Sequence, residues 1–551
     1  MIYDVLVIGS GIAGLRAAIE AKKHNLKVAI LVKGNPLRSN SAMASGGINA
    51  SFESDESGSI DEHIDDTLKS SQSLADKKRI QNLCRDAKQH ILELSDSGVK
   101  FDRDERENIA QRAFGGTGKK RTCYVQDRTG SAIAQNLIMK ARELEVEFLQ
   151  NYFVLSILKS KGRVSGISAI RLDDTEVLAI ACKSLVIAGG GFAGIYKGHS
   201  TNPQSTSGDC LALALKAGLA LRDLEFMQFH PTGLKTTGSL ISEAVRGEGG
   251  YLINSDGERF VNELERRDVV AKAIFAELEN GKEVFLDLRH LGEETINKKL
   301  PSVRKISINA EGIDPVNELI PIRPVAHYSI GGIKSEKDTS TEIKGVFCAG
   351  ECSSSLIHGA NRLGGNSLLE ASVFGKLAGD KASNFAKKAE FAKIDYQRVE
   401  RDLRWVDYIL TGENRYNINS LRKSLGNTLY KKVGVVRDES SLLDAFDYIE
   451  YMRNLTVRLH CINKDKNFNV ELINIIEFIN SLYVAEAFIL ACLKREESRG
   501  NNLRSDYLEK NKKLNKHIIV ENKDNKLLKV SFEEIDLITK TMTKFRNFLT
   551  N

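Results

Sequence analysis

An apolar run between Asp4 and Ile8 opens the chain, and Gly9-Ser10-Gly11-Ile12-Ala13-Gly14 follows it directly. Beyond the glycines, Ala13, Leu15, Ala17, Ala18 and Ala21 recur at the spacing of one packed helical side, and a second apolar strand runs from Lys27 to Val32. The alternation predicts strand, glycine loop, helix, strand. A mostly helical pattern spans about Ser59 to Ser97, and strand-like pieces lie at Glu147 to Leu158 and Val164 to Arg171. The run Ser184 to Gly191 reads as a buried parallel strand ending in glycines. From about Glu225 the texture changes to an inserted segment that closes at Arg323 to Ile333. At Gly345 an apolar strand returns, passes Glu351, crosses a loop rich in Gly and Asn, and ends on a helix beginning Asn366-Ser367-Leu368. From about Ala386 the pattern is helical and highly charged.

A chain of 551 residues exceeds one ordinary core, so several domains are expected. The formal charge of +6 is small for this size and comes mostly from a Lys-rich C-terminal quarter, whose run Lys510 to Lys516 has no interleaved aromatics. That composition gives no nucleic-acid reading. No signal-peptide pattern follows Met1, and no uninterrupted apolar run reaches the ~20 residues of a membrane helix. The nearest, Leu482 to Leu493, is broken by Glu486. Eight cysteines are scattered without a CxxC pair, which indicates neither an iron–sulfur cluster nor a zinc site and fits a reducing cytoplasm.

The chemistry begins with the glycines. A strand, G-x-G-x-x-G and a helix form the dinucleotide-binding unit, in which backbone approaches a pyrophosphate at a helix N-terminus. The second strand ends in Val32-Lys33, with no acid to hold a ribose diol, which disfavours NAD and leaves FAD. The small, Gly-rich stretch Arg38 to Phe52 suits backbone pressed against a flat ring, or a plain surface turn. Gly345 to Gly379 makes an anion and cofactor cradle, and Arg362 within it is a fixed cation able to grip a carboxylate with two parallel hydrogen bonds.

HPTG (His230 to Gly233), RGEGG (Arg246 to Gly250), Arg267-Asp268-Val269, HYSIGG (His327 to Gly332) and HGANRLGGNSL (His358 to Leu368) occur in this order. With them the chain resembles the flavoprotein subunit of fumarate reductase and succinate dehydrogenase, a superfamily shared with L-aspartate oxidase. The resemblance covers roughly residues 1 to 385 and, more loosely, Arg495 to Tyr507. It implies an α/β FAD-binding Rossmann-type domain (1–227 and 327–385), an inserted α+β capping domain (228–326), a C-terminal helical domain (386–510) and a Lys-rich tail (511–551). It also implies that Gly9, Gly11, Ala13 and Gly14 hold the FAD pyrophosphate, and that Lys33, Ser39, Asn40, Ser41, Gly46 and Gly47 line the adenosine and flavin. Asp209 and Glu351 would take polar positions on the cofactor, with Ser367 and Leu368 presenting backbone N–H groups to the ring. A dicarboxylate would be pinned by His230 and Ser242 at one end and by His327 and Arg362 at the other. Arg267 would donate the proton and be recharged through Glu243 and Arg246.

Two departures refine the subtype. Respiratory members often attach FAD through the histidine of an R-S-H-T motif; here the string is Arg38-Ser39-Asn40-Ser41, which implies non-covalent FAD and tilts the expectation toward fumarate reduction. L-Aspartate oxidase carries R-E-G-G, whose glutamate pairs the substrate ammonium; here the string is Ala113-Phe114-Gly115-Gly116, and Phe114 suits an uncharged alkene. Burying an ammonium against Phe114 without a counter-charge would cost several kcal/mol. The expected partners are an iron–sulfur subunit and a membrane-associated or cysteine-rich subunit, with no metal in the chain itself. The expected location is cytoplasmic, peripheral on the cytoplasmic face of the inner membrane. The competing readings are a soluble L-aspartate oxidase-type enzyme and a catalytically silent flavoprotein serving as an assembly module.

Overall fold

The computed structural model describes residues 1–522 and 528–535. Its central sheet has seven strands. Ile2–Ile8 pairs in parallel with Val28–Val32 on one side and with Glu176–Ile187 on the other, in the register Val7↔Ile30 and Leu6↔Leu185. Glu147–Gln150 extends the first edge, Val346–Cys348 pairs beside Glu176–Ile187, and Arg163–Arg171 and Tyr152–Ser160 complete the sheet in antiparallel fashion. Residues 5–8, 28–32 and 185–187 of the parallel strands are buried on both faces, as their apolar runs require.

Helices Ile12–Lys22 and Asn366–Lys388 cover one face. They meet through small residues. A Cβ added at Gly375 would lie 2.5 Å from Ala13 O, and one at Gly379 would lie 2.3 Å from Ala17 O, so the two helices touch backbone to backbone. This contact ties the start of the chain to the segment that follows Glu351.

The insertion is a four-stranded antiparallel sheet, in the order Met227–Leu234, Ile320–Ser329, Val284–Asp287, Tyr251–Asn254, backed by helix Arg267–Glu279 and enclosing its own apolar core. Strand Ile320–Ser329 runs through the boundary drawn at 326/327, so that edge of the insertion falls inside one strand.

The helical region packs Tyr396–Thr411, Ile418–Lys432 and Glu439–Leu455 around Val470–Lys494. Among the described residues this last helix is the one long and apolar enough to cross a membrane, and 83% of its apolar window is buried in the protein. The apolar run read as ending at Leu493 is part of this core helix. Its buried acids have partners: Glu477 pairs with Lys33 and Arg422, and Glu486 with Arg453.

The segment set apart as a Lys-rich tail departs from that description. Lys516–Glu521 pairs antiparallel with Leu221–Arg222 and with Lys529–Glu534, adding two strands to a five-stranded sheet. The apolar residues Ile518, Ile519 and Val520 are buried there, a short strand masked in composition by flanking lysines. Residues 523–527 and 536–551 of that segment lie outside the described residues.

Candidate functional site

Two concavities make up the site, the larger at the ends of Ile2–Ile8, Glu176–Ile187 and Val346–Cys348. The larger is a cleft of about 620 Å³ lined by Gly9, Gly11, Ala13, Lys33, Ser39, Asn40, Ser41, Asp209 and Glu351. Gly9 adopts φ +102°, and a Cβ there would lie 2.4 Å from Ala188 O, so the loop can hug the neighbouring strand end only with glycine. Gly14 does not line the cleft. A Cβ at Gly14 would lie 1.9 Å from Gly9 O, so this glycine lets the helix start press onto the loop rather than meeting a ligand.

Two helices begin at these concavities on glycine N-caps, with Ser41 Oγ accepting from Ile12 N at 3.3 Å at the first. Helix Ile12–Lys22 starts at Gly11, and helix Asn366–Lys388 starts after Gly365 at φ +81°, neither with a capping hydrogen bond from the N-cap residue. Elsewhere Ser59 and Asp76 cap their helices fully. Uncapped N–H groups beside a cavity make a ready anion cradle.

Lys33 stands at the far end of the cleft, its Nζ donating to Ser205 O and Asp209 Oδ2, both at 2.7 Å, and to Glu477. Burial disfavours the charge on Lys33, but the two carboxylates outweigh it and raise its pKa. Burial likewise works against the ionised Asp209, yet Lys33 holds it below the usual carboxylate range. Glu477, Arg422 and Asn474 belong to this wall of the cleft and escaped the sequence reading, because nothing local marks a residue more than 400 positions away as Lys33's partner. Near the middle, Asn40 Nδ2 donates to Asn202 Oδ1 and, at 3.4 Å, to Glu351 Oε2. Burial pushes the Glu351 carboxyl up to about 7 despite the Ser329 N–H that donates to it at 3.0 Å.

The smaller pocket, about 50 Å³, is lined by Gly46, Gly47, Phe114, His230, Ser242, Glu243, Arg267, His327, Arg362, Ser367 and Leu368. The structure thus unites residues from six separated stretches. Gly46 and Gly47 lie here rather than in the cleft, and Gly46 abuts the Phe114 ring, which a Cβ would approach to 2.5 Å. Arg267, not Arg266, enters the pocket; Arg266 turns outward to Asp268. Arg246 does not line the pocket but stands behind Glu243, donating from Nη2 to Glu243 Oε1 at 3.0 Å. Arg267 Nε donates to Glu243 Oε2 at 2.8 Å, so an unbroken line Arg267–Glu243–Arg246 leads inward from the pocket. Burial opposes ionisation of Glu243, but Arg267 and Arg246 prevail and lower its pKa.

Gln228 was missed from sequence. Its Oε1 accepts from Arg267 Nη1 at 3.1 Å and from Arg362 Nη2 at 2.9 Å, holding both cations in one plane of approach. The available signal was its position two residues before His230 on one strand, hence on the same face. Arg362 also donates to Ser367 Oγ at 3.1 Å and lies 4.4 Å over the Tyr328 ring, while its buried Nε has no partner in the protein. Burial and then Arg267 bring the Arg362 pKa down to about 9.

The histidines differ in their supports. His230 Nδ1 accepts the backbone N–H of Thr232 at 3.3 Å, which leaves the proton of the neutral ring on Nε2. His327 Nδ1 lies 2.8 Å from Thr201 Oγ1, and the two rings stand edge to face at 4.9 Å. Burial, then the nearby arginines, holds both pKa values well below the usual histidine range. Of the charged groups lining the pocket, two arginines face one carboxylate, and a third arginine backs that carboxylate. The surplus positive charge and the orphaned Arg362 Nε suit an anion with carboxylates at both ends.

Among known families, the one described as FAD binding domain matches residues 4–368, and that described as Fumarate reductase flavoprotein C-term matches residues 422–547. The succinate dehydrogenase flavoprotein subunit of Rickettsia bellii is 35% identical over 544 residues, covering 93% of this chain and 91% of that protein. The 8-methylmenaquinol:fumarate reductase flavoprotein subunit of Wolinella succinogenes is 36% identical over 529 residues, covering 92% and 86%. A solved E. coli quinol fumarate reductase chain superposes with a TM-score of 0.93 at 31% identity, covering 97% of each chain. Adenylylsulfate reductase of Archaeoglobus fulgidus, at 16% identity and a TM-score of 0.81, shares the fold alone.

Proposed function

Because this chain belongs to the family of fumarate reductase and succinate dehydrogenase flavoprotein subunits and takes FAD, we propose that it reduces fumarate to succinate as the catalytic subunit of a respiratory complex. FAD, when bound, supplies the hydride chemistry, and the residues of the two concavities fit it: a loop in which Gly9 and Gly14 admit no Cβ, two helix starts with glycine N-caps, and a cleft that Lys33 also lines. His230 and Ser242 hold one substrate carboxylate, and His327 and Arg362 hold the other. Opposite ends fixed this way orient the alkene carbons between Arg267 and the cleft.

The line Arg267–Glu243–Arg246 carries the reading. An arginine is a poor acid by itself, since its pKa is above about 12. Glu243, hydrogen-bonded to both guanidiniums, accepts a proton from Arg246 on one oxygen and gives one to Arg267 from the other once Arg267 has protonated the substrate carbon, which leaves the deficit on Arg246 for a later proton to fill. Phe114 lines the same pocket without offering an ammonium a counter-charge, which favours an uncharged dicarboxylate backbone over an amino acid.

Asn40 lines the cleft where a histidine would form the covalent link, and an amide has no ring nitrogen to make that bond; FAD is therefore held without one. The chain carries no cysteine pattern for a cluster, so electrons reach it from an iron–sulfur subunit, itself joined to a membrane-associated or cysteine-rich subunit. The complex sits peripherally on the cytoplasmic face of the inner membrane. The test is single turnover: fumarate reoxidises the dithionite-reduced holoprotein and L-aspartate does not reduce the oxidised one, whereas aspartate oxidation would refute the reading of Phe114.

A further inference from the structure

His327 lacks the backbone donor that fixes His230, yet its Nδ1 is met by Thr201, the end of a chain of side chains that reaches back to the other concavity. The loop that carries this chain is laced to the His327 strand, with Thr201 N donating to Ala326 O at 3.0 Å and Ala326 N to His199 O at 2.9 Å. The backbone carbonyl of His327 can only accept. Asn202 therefore turns its Nδ2 toward it, at 2.8 Å, and its Oδ1 away. Asn40 must then present its own Nδ2 to Asn202 Oδ1, the orientation that Glu351 on the same Nδ2 and Thr206 Oγ1 on Asn40 Oδ1 also select. Asn202 Nδ2 makes a second contact with Thr201 Oγ1 at 3.2 Å, so that oxygen accepts there, and of its two partners only His327 Nδ1, at 2.8 Å, can accept the hydroxyl proton. A ring that accepts at Nδ1 and is neutral carries its proton on Nε2.

We propose that Glu351, Asn40, Asn202 and Thr201 form a directional hydrogen-bond relay that locks His327 as the Nε2–H tautomer, making Thr201 and Asn202 positioning residues for dicarboxylate binding. The inference rests on the reading of His327 as a substrate contact. With the relay in place, both pocket histidines offer an N–H to the ligand; without it, His327 is free to offer a lone pair, which repels a carboxylate. The relay also joins the two concavities, since Asn40 and Glu351 line the cleft and His327 lines the pocket.

Titration of the oxidised holoprotein with fumarate, read from the change in flavin absorbance, tests this without turnover. T201V keeps the shape but removes the hydroxyl, and it raises the fumarate Kd about tenfold or more with FAD retained. T201S restores most of the affinity, a rescue that a packing role for the threonine methyl would not give. N202D, which sets a second acceptor against the His327 carbonyl, weakens binding as well. H327A serves as the reference: if it leaves the Kd unchanged, the substrate reading of His327 fails; if it weakens binding while T201V does not, the relay fails and the substrate reading stands. Should T201V not fold, the ring-nitrogen ¹⁵N spectrum of the wild-type holoprotein, with H327Q assigning the signal, decides alone. Protonated Nε2 supports the relay and protonated Nδ1 overturns it.

Discussion

Arg267 Nε lies 2.8 Å from Glu243 Oε2, and the other oxygen of the same carboxylate accepts from Arg246 at 3.0 Å. All three side chains are almost wholly buried, so no bulk water competes for the contact. In the proposed reaction Glu243 is both the anchor of the pocket arginine and its route to a proton. E243Q keeps the size and one hydrogen-bonding oxygen but can no longer take up and return a proton. Its kcat for fumarate reduction falls about 10²- to 10⁴-fold while the FAD content stays at the wild-type level. Steady-state kinetics with a viologen donor, alongside flavin stoichiometry, check it.

Phe114 and Gly46 are in direct contact, and the ring walls the pocket near Glu243. F114E would place a second carboxylate where the dicarboxylate must lie. Like charges in a desolvated site repel strongly, so the fumarate Kd rises by about 100-fold or more. The same flavin-absorbance titration measures it.

Acid precipitation of the holoprotein should leave every flavin in the supernatant, because Asn40 offers no nucleophilic nitrogen. Absorbance of the dissolved pellet at the flavin maximum reads the result, and colour retained there would show a covalent link elsewhere in the chain.

The strand, glycine loop and helix that build the cleft were legible in sequence because each is a local pattern: an apolar run, fixed glycine spacing, a helical stripe. The pocket residues were legible only as a set of ordered motifs, since His230, Arg267, His327 and Arg362 come from distant stretches. Gln228, Thr201, Asn202 and Glu477 were not legible. Each acts through partners tens to hundreds of positions away, and none has a side chain that advertises chemistry by type. The strand Lys516–Glu521 was hidden for another reason: its apolar centre is only a few residues long and is flanked by lysines.

His63 supports the start of helix Asn366–Lys388, its Nε2 lying 3.1 Å from Asn366 Oδ1. Burial, then Arg121, brings its pKa down from 6.5 to about 4. Between those values the unfolded chain binds a proton that the folded state refuses, so stability rises with pH across the window and is lost as pH falls below 6.5. The full difference is about 3 kcal/mol by pH 4. H63Q flattens that part of the dependence of Tm on pH, which differential scanning calorimetry of the two proteins checks.

In the proposed reaction the pocket beside the cleft takes a dicarboxylate alkene and Arg267 protonates it. Anaerobic reduction of the bound flavin followed by rapid mixing with fumarate tests it most directly. The account predicts prompt flavin reoxidation with one succinate formed per flavin, abolished in R267A with FAD still bound. Persistence of the reduced flavin in wild-type holoprotein exposed to fumarate would contradict it.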